Sequence, residues 1–420
     1  MKKQVQSYHG QDIDQFDYSK ANRSPLTGSL AKGTTADASA VRIMQNIGMI
    51  AEPVIEFLRQ LAQDLQLSIS VFEYVPDNPI AVLTWIGTEP SLPSILLNSH
   101  MDTVPVNKQN WKYDPFEAVI DEWGNIYGRG SQDCKSVGLM YLEAIRRLKQ
   151  KGVQLRRTVH ALFVPDEEVG GDRGMNAFVE KNDFRALNIG FGIDEAMANP
   201  DNKFTISYSD RLSWKFVIRC KGTSKSSALL LTNTAGEKVA YILDKVYKLR
   251  SEQKLTLKQN PNLTLSDVTS INLTQIRGGQ KYNVTPELIE MVFDCRLPPP
   301  TDLEKMEATI RLWCNEAGDG VSLEFLIKDL PYTTQLNETN KYWVAFENII
   351  KKLEVPYETV VYPATTDARY LRKVGIPCIG FVPFRNTTPL KHADNEYLNK
   401  SVYLDGIEFY TKIIPALGNV

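Results

Sequence analysis

Five short segments of the chain carry side chains able to hold metal ions and move a proton. His100 and Asp102 stand in Asn-Ser-His-Met-Asp, Asp133 in Gly-Arg-Gly-Ser-Gln-Asp, and Glu167 and Glu168 in Pro-Asp-Glu-Glu-Val-Gly-Gly. Glu195 follows Asp194, and His392 lies in Lys-His-Ala-Asp-Asn-Glu. Imidazole and carboxylate together suit borderline zinc, and two such ions need a shared bridging oxygen ligand. His100, Asp133 and Glu195 can hold one ion; Asp133, Glu168 and His392 can hold the other. Ions about 3.5–4 Å apart clamp a carbonyl and lower the pKa of a bridging water. Glu167, left free beside Glu168, suits the general base that takes the water's proton. Asp102, on the same side of an extended segment as His100, is placed to hydrogen-bond the other imidazole nitrogen and fix its tautomer.

Taken singly, each of these residues has a bland explanation: a lone histidine is usually packed or solvated, and an adjacent Glu-Glu is usually a surface pair. In combination they read differently, because carboxylates at the inner ends of apolar strands are costly to bury without a cation. His160, mid-strand in Thr-Val-His-Ala-Leu, is expected to be a core histidine, and Cys134 a packing thiol.

The elements around them follow from periodicity. Apolar runs at Ile80–Ile86, Ser94–Leu97, Thr158–Val164, Ile189–Ile193 and Cys378–Val382 read as buried strands. A helix is predicted over about Glu52–Asp64. Another begins near Ser131 or Asp133 as cap, turns Val137, Met140, Tyr141, Ala144, Ile145 and Leu148 to one face, and stops at Gly152. Strands alternating with helices imply an α/β layer with a mixed, largely parallel sheet and helices on both faces. The active residues all follow strands of this layer, where sites in open α/β sheets form. From Trp214 the order changes to β-α-β-β-α-β, the ferredoxin-like split βαβ pattern. The expected organisation is a flexible arm over residues 1–45, a catalytic domain from 46–207 and 329–420, and an inserted domain over 208–328.

Bulk properties agree. A chain of 420 residues suits two domains. Its formal net charge of −2 carries no basic footprint for nucleic acid. No apolar run is long enough to span a bilayer, and two lysines at the start precede no apolar stretch of a signal peptide. Five scattered cysteines without a CxxC pair point to reduced thiols and a cytoplasmic location.

These segments resemble the aminoacylase/carboxypeptidase family of dinuclear zinc amidohydrolases. The likeness runs from about Val82 to the C-terminus, roughly four-fifths of the chain, and is most specific in LLNSHMDTVPV, GNIYGRGSQDCK, FVPDEEVGGDRGM, DEAMANP, GGQKYNVTP, TTDARYLRKVGIP and HADNE. The resemblance implies a zinc exopeptidase-like fold and an inserted domain that serves dimerisation. It implies two Zn2+ per chain on His100, Asp133, Glu168, Glu195 and His392, with Glu167 and Asp102 as catalytic base and orienting residue. The implied reaction is hydrolysis of N-acyl-L-amino acids by metal-activated water, with a small-molecule substrate and a homodimer. It adds Arg369 as the guanidinium gripping the substrate carboxylate and Asn283 as a substrate contact from the inserted domain. One departure stands out. Where the family carries Gly-His-Ala-Ser, whose histidine crosses to the neighbouring subunit's scissile carbonyl, this chain has Ser226. Two other readings therefore stand beside the first: a dipeptidase or carboxypeptidase on the same scaffold, and a metal-binding homologue with weak or no catalysis.

Overall fold

Apolar runs alternating with amphipathic stretches become a sheet covered on both faces, joined to a second, smaller sheet. The computed structural model describes residues 51–420, which lie in one compact unit; the arm expected over 1–45 lies outside them. In chain order the elements are α1 (Ala51–Leu65), β1 (Ser68–Phe72), β2 (Ile80–Trp85), β3 (Ser94–His100), β4 (Val119–Ile120), β5 (Asn125–Tyr127) and α2 (Lys135–Gln150). Next come β6 (Val159–Val164), α3 (Met175–Val179), α4 (Asn182–Ala186), β7 (Ile189–Asp194), β8 (Phe204–Asp210) and β9 (Leu212–Lys221). After α5 (Ala235–Gln259) follow β10 (Ser270–Gly278), β11 (Leu288–Leu297), α6 (Leu303–Glu316) and β12 (Val321–Lys328). The last are α7 (Lys341–Lys352), β13 (Tyr357–Tyr362), α8 (Ala368–Lys373), β14 (Cys378–Phe381), β15 (Tyr397–Asn399) and α9 (Lys400–Gly418).

Eight strands form the main sheet, in the order β1-β2-β6-β3-β7-β14-β8-β13. Its centre, β6-β3-β7-β14, is parallel, while β1, β2 and β8 enter through antiparallel pairs. The expected mixed, largely parallel sheet is thus what forms. Successive residues of a strand face opposite ways, and here both ways lead into a core. Ala81, Leu83, Ile95 and Leu97 join Val137, Tyr141 and Ile145 of α2 and Tyr410 of α9. Ile80, Val82 and Leu96 join Met175, Phe178, Phe184 and Leu371 on the other side. Double coverage explains why these strands read as continuous apolar runs. Tyr141 and Tyr410 meet edge to face at 4.7 Å between ring centroids. Phe381, wholly buried among Phe204, Phe346, Phe409 and Tyr410, is a site where truncation to Ala costs about 3–5 kcal/mol.

The four-stranded sheet has the order β10-β11-β9-β12, antiparallel throughout. With α5 and α6 it has the element order and pairing of a split βαβ unit. Its core is its own: Trp214, Phe216, Ile218, Phe293, Ile310 and Trp313. A capping box starts α5, Thr234 Oγ1 accepting from the Glu237 N–H at 3.3 Å while the Glu237 carboxylate accepts from the Thr234 N–H at 2.8 Å.

One expectation is corrected. Neither Ser131 nor Asp133 caps α2, which begins at Lys135 with Cys134 in the cap position and no side-chain cap bond. Asp133 is turned away to His100 and His392 instead. Gly152, with a left-handed φ of 70°, does follow the helix end. Among the described residues no helix is long and apolar enough to cross a membrane. All five cysteines are buried free thiols.

Candidate metal centre

Three neighbouring parallel strands end along one edge of the main sheet. His100 is in register with Val164 across β3 and β6, and Leu97 with Ile193 across β3 and β7. Their carboxyl ends release His100, the turn bearing Glu167 and Glu168, and Asp194-Glu195 side by side. Asp133 enters from the loop before α2, and His392 from the loop between β14 and β15.

What joins those two loops is Glu396, wholly buried. Its carboxylate accepts from the backbone N–H groups of Gly130 at 3.0 Å, Gln132 at 2.6 Å and Asp133 at 3.1 Å, and from Arg129 Nη1 at 2.8 Å. Four donors on one carboxylate offset the cost of burying it. Glu396 is the last residue of the HADNE motif, whose spacing gives no sign of this role.

Asp133 lies between the two histidines. Its Oδ1 is 3.3 Å from His100 Nε2, and its Oδ2 is 3.0 Å from His392 Nε2. His392 Nε2 is also 2.9 Å from Glu168 Oε2, and His100 Nε2 is 3.8 Å from Glu195 Oε1. All five expected ligands therefore converge. Ligand atoms bound to one tetrahedral ion at about 2.0–2.1 Å stand about 3.3–3.4 Å apart, so these separations suit shared cations. Glu168 Oε1 is buried with no partner among the described residues. Hydrogen bonds to the Asp133 and Glu168 carboxylates, which accept from the imidazole, raise His392 to about 10, so this spot favours positive charge. The donor set fits metal.

Asp102 does two jobs. Its carboxylate oxygens accept from the N–H groups of Glu167 at 3.1 Å and Glu168 at 3.0 Å, so it fixes the turn that carries both. His100 Nδ1 bonds to the Asp102 main-chain carbonyl at 2.9 Å, with the carboxylate at 3.4 Å. The backbone thus shares the tautomer-setting role expected of the side chain. Burial, reinforced by Glu195, holds the Glu167 carboxyl well above its ordinary range, the condition of a good proton acceptor at neutral pH.

One neighbour, Lys391, was not foreseen, while Cys134 is the buried thiol expected. Lys391 donates to Glu195 and to the Tyr362 hydroxyl at 3.2 Å, and its ammonium lies 3.2 Å from Asp133 Oδ1. A lysine beside a loop histidine ordinarily points to solvent, so nothing in the spacing signalled it. Cys134 Sγ lies within reach of His100 and Glu195, and burial pushes its thiol up, keeping it neutral.

Asp133, Glu167, Glu168, Glu195 and His392 line a cleft of about 990 Å3, with Arg369 and, from the four-stranded sheet, Arg296 and Lys328 also in its lining. Arg369 donates to the Gly170 carbonyl at 2.7 Å and lies 4.6 Å over the Tyr370 ring. Its buried Nε has no partner among the described residues, an unspent donor. Asn283 and Ser226 are elsewhere: both are exposed and neither lines the cleft. Their loops pair with each other, Ser226 bridging Val284 and the Ser227 N–H donating to the Asn283 carbonyl at 2.9 Å. His160 is packed in the core, its ring nitrogens 2.9 Å from Thr84 Oγ1 and 3.2 Å from the Leu187 carbonyl oxygen.

Comparison with known proteins places this geometry in a lineage. The family model for Peptidase family M20/M25/M40 matches residues 96–416, a span holding all five expected ligands. Aminoacylase-1 of Mus musculus is 45% identical over 367 residues, covering 87% of this chain and 90% of the relative. Aminoacylase-1 of Dictyostelium discoideum is 40% identical over 379 residues, covering 87% and 92%. Among solved structures, an M20 family metallo-carboxypeptidase from Sulfolobus solfataricus matches with a TM-score of 0.71 at 18% identity, covering 91% of this chain and 98% of its own, a likeness of fold. The chain belongs to Peptidase family M20/M25/M40.

Proposed function

We infer that the chain is an aminoacylase, hydrolysing N-acyl-L-amino acids to a carboxylate and a free L-amino acid. Relatives named aminoacylase-1, at 40–45% identity, support the reaction. The observation that carries the reading is the meeting of His100, Asp133, Glu168, Glu195 and His392 around one cleft, with Glu167 beside them and Arg369 on its wall. His100, Asp133, Glu168, Glu195 and His392 would hold two Zn2+, with Asp133 facing both histidines. When bound, such a pair supplies Lewis acidity to the acyl carbonyl and to a water. Glu167 takes the water's proton and delivers it to the departing amine. Arg369 orients the substrate by its carboxylate, a planar task suited to guanidinium. Asp102 positions His100 and the Glu167-Glu168 turn.

A dipeptidase on this scaffold fits less well, since the peptidase likenesses are likenesses of fold. The catalytic domain we propose comprises 46–207 and 329–420, with 208–328 as the dimerisation domain. Its outer strand is exposed from Thr274 to Gly278, an edge that a second copy would cover. Asn283 would then serve a substrate in the partner's cleft. Five free thiols support a cytoplasmic setting.

Elemental analysis alongside hydrolysis of a panel of N-acyl amino acids and dipeptides, with and without chelator, tests the reading. Two zinc ions at saturation and chelator-sensitive deacylation are expected. A preference for dipeptides, or zinc without turnover, would favour one of the other two readings.

A further inference from the structure

The Lys391 ammonium is held from several sides at once. It donates to Glu195 and to the Tyr362 hydroxyl, stands 3.2 Å from Asp133 Oδ1, and lies 5.5 Å from the Tyr362 ring centroid. The side chain is 15% exposed, against 56% for His392 next to it. Two of the three side chains expected to share the His100 cation therefore already face a positive charge. Zinc needs such oxygens at about 2.0–2.2 Å, and lone pairs engaged by an ammonium are not free to bind it. At the other half of the centre, among the described residues, Glu168 Oε1 is buried without a hydrogen-bond partner, and Lys391 is bonded to neither Glu168 nor His392.

We propose that Lys391 is a tethered competitor for the cation shared by His100, Asp133 and Glu195, so that the two metal positions fill unequally, the His392–Glu168 position first. This rests on the dinuclear reading above. For the second ion to bind, Lys391 must withdraw from Glu195 and Tyr362, and while it stays near, like charges repel. The chain would then hold one resident ion and one exchangeable ion, the latter set by how much free metal surrounds it.

The test is titration of metal-stripped, full-length protein with Zn2+ alone, counting ions by native mass spectrometry and ranking affinities against a chromophoric chelator. In the wild type the second ion is expected to bind at least about tenfold more weakly than the first. Lys391→Met should narrow that gap by about tenfold while leaving the first ion's affinity unchanged. Lys391→Gln, which stays polar, should do the same and guards against a packing defect in one variant. Two equal sites in the wild type, or a gap that neither variant narrows, would overturn the competition and leave the dinuclear centre standing. No zinc binding by any of the proteins would overturn both.

Discussion

The rim of the main sheet and the outlying loops of the four-stranded sheet both carry residues singled out from the sequence, yet they are built to different standards. At the rim, His100 is 1% exposed and Glu396 wholly buried, and Asp102, Asp133 and Glu396 each answer to several partners. The loops bearing Ser226 and Asn283 are exposed, joined by a few backbone bonds, with Leu230 and Tyr282 fully in solvent. The contrast shows what each task requires. Groups that must hold a metal in register need packed, hydrogen-bonded support. A loop suited to meeting another molecule needs accessibility first.

Several changes would break or sharpen that contrast. Glu167→Gln keeps the shape of the rim but removes the proton acceptor; turnover is expected to fall about 10²–10⁴-fold while the zinc count by elemental analysis holds. Near-normal turnover would move the base elsewhere. Ser226→His adds a donor to the exposed loop and is expected to raise turnover, by up to about 10²-fold; an unchanged kcat would show that the loop contributes nothing to the reaction. Arg369→Lys keeps the charge and loses the fork. Its expected signature is a KM raised about 10-fold or more for an N-acyl amino acid, with kcat less affected.

The smallest effect concerns the sheet beneath the rim. Burial lowers His160 from 6.5 to about 4. Over that interval the unfolded chain binds a proton that the folded chain refuses, so stability present above pH 6.5 is lost as pH falls toward 4, by about 1.4 kcal/mol per unit at most. In urea unfolding, His160→Asn should flatten that part of the pH dependence. Equal slopes in both proteins would show that the histidine titrates alike folded and unfolded.

Much of this was legible in the chain. The central strands were, because burial on both faces writes them as apolar runs, and so were the expected ligands His100, Glu168 and Glu195 at their ends; Asp133 instead follows β5 of a separate three-stranded sheet, and His392 a long loop after β14. Edge strands were not. β1 and β13 lie at the two margins of the sheet, and β8 buries Thr205, Ser207 and Ser209, so Phe-Thr-Ile-Ser-Tyr-Ser-Asp does not look apolar. The expected cap of α2 failed because Asp133 had a stronger claim on it from two imidazoles. Lys391 escaped notice for a simpler reason: spacing tells which residues share a loop, and says nothing of which way a loop lysine turns.

The tie between Glu396 and residues 129–133 crosses more than 260 positions of sequence. During synthesis at about 5–20 residues per second, the rim's first carboxylates emerge about 13–60 s before His392 and Glu396 do. The four-stranded sheet, with a core of its own, has that interval in which to fold. A nascent chain can therefore own a finished second sheet while still unable to retain metal, and loading must wait for the ribosome to release nearly the last helix.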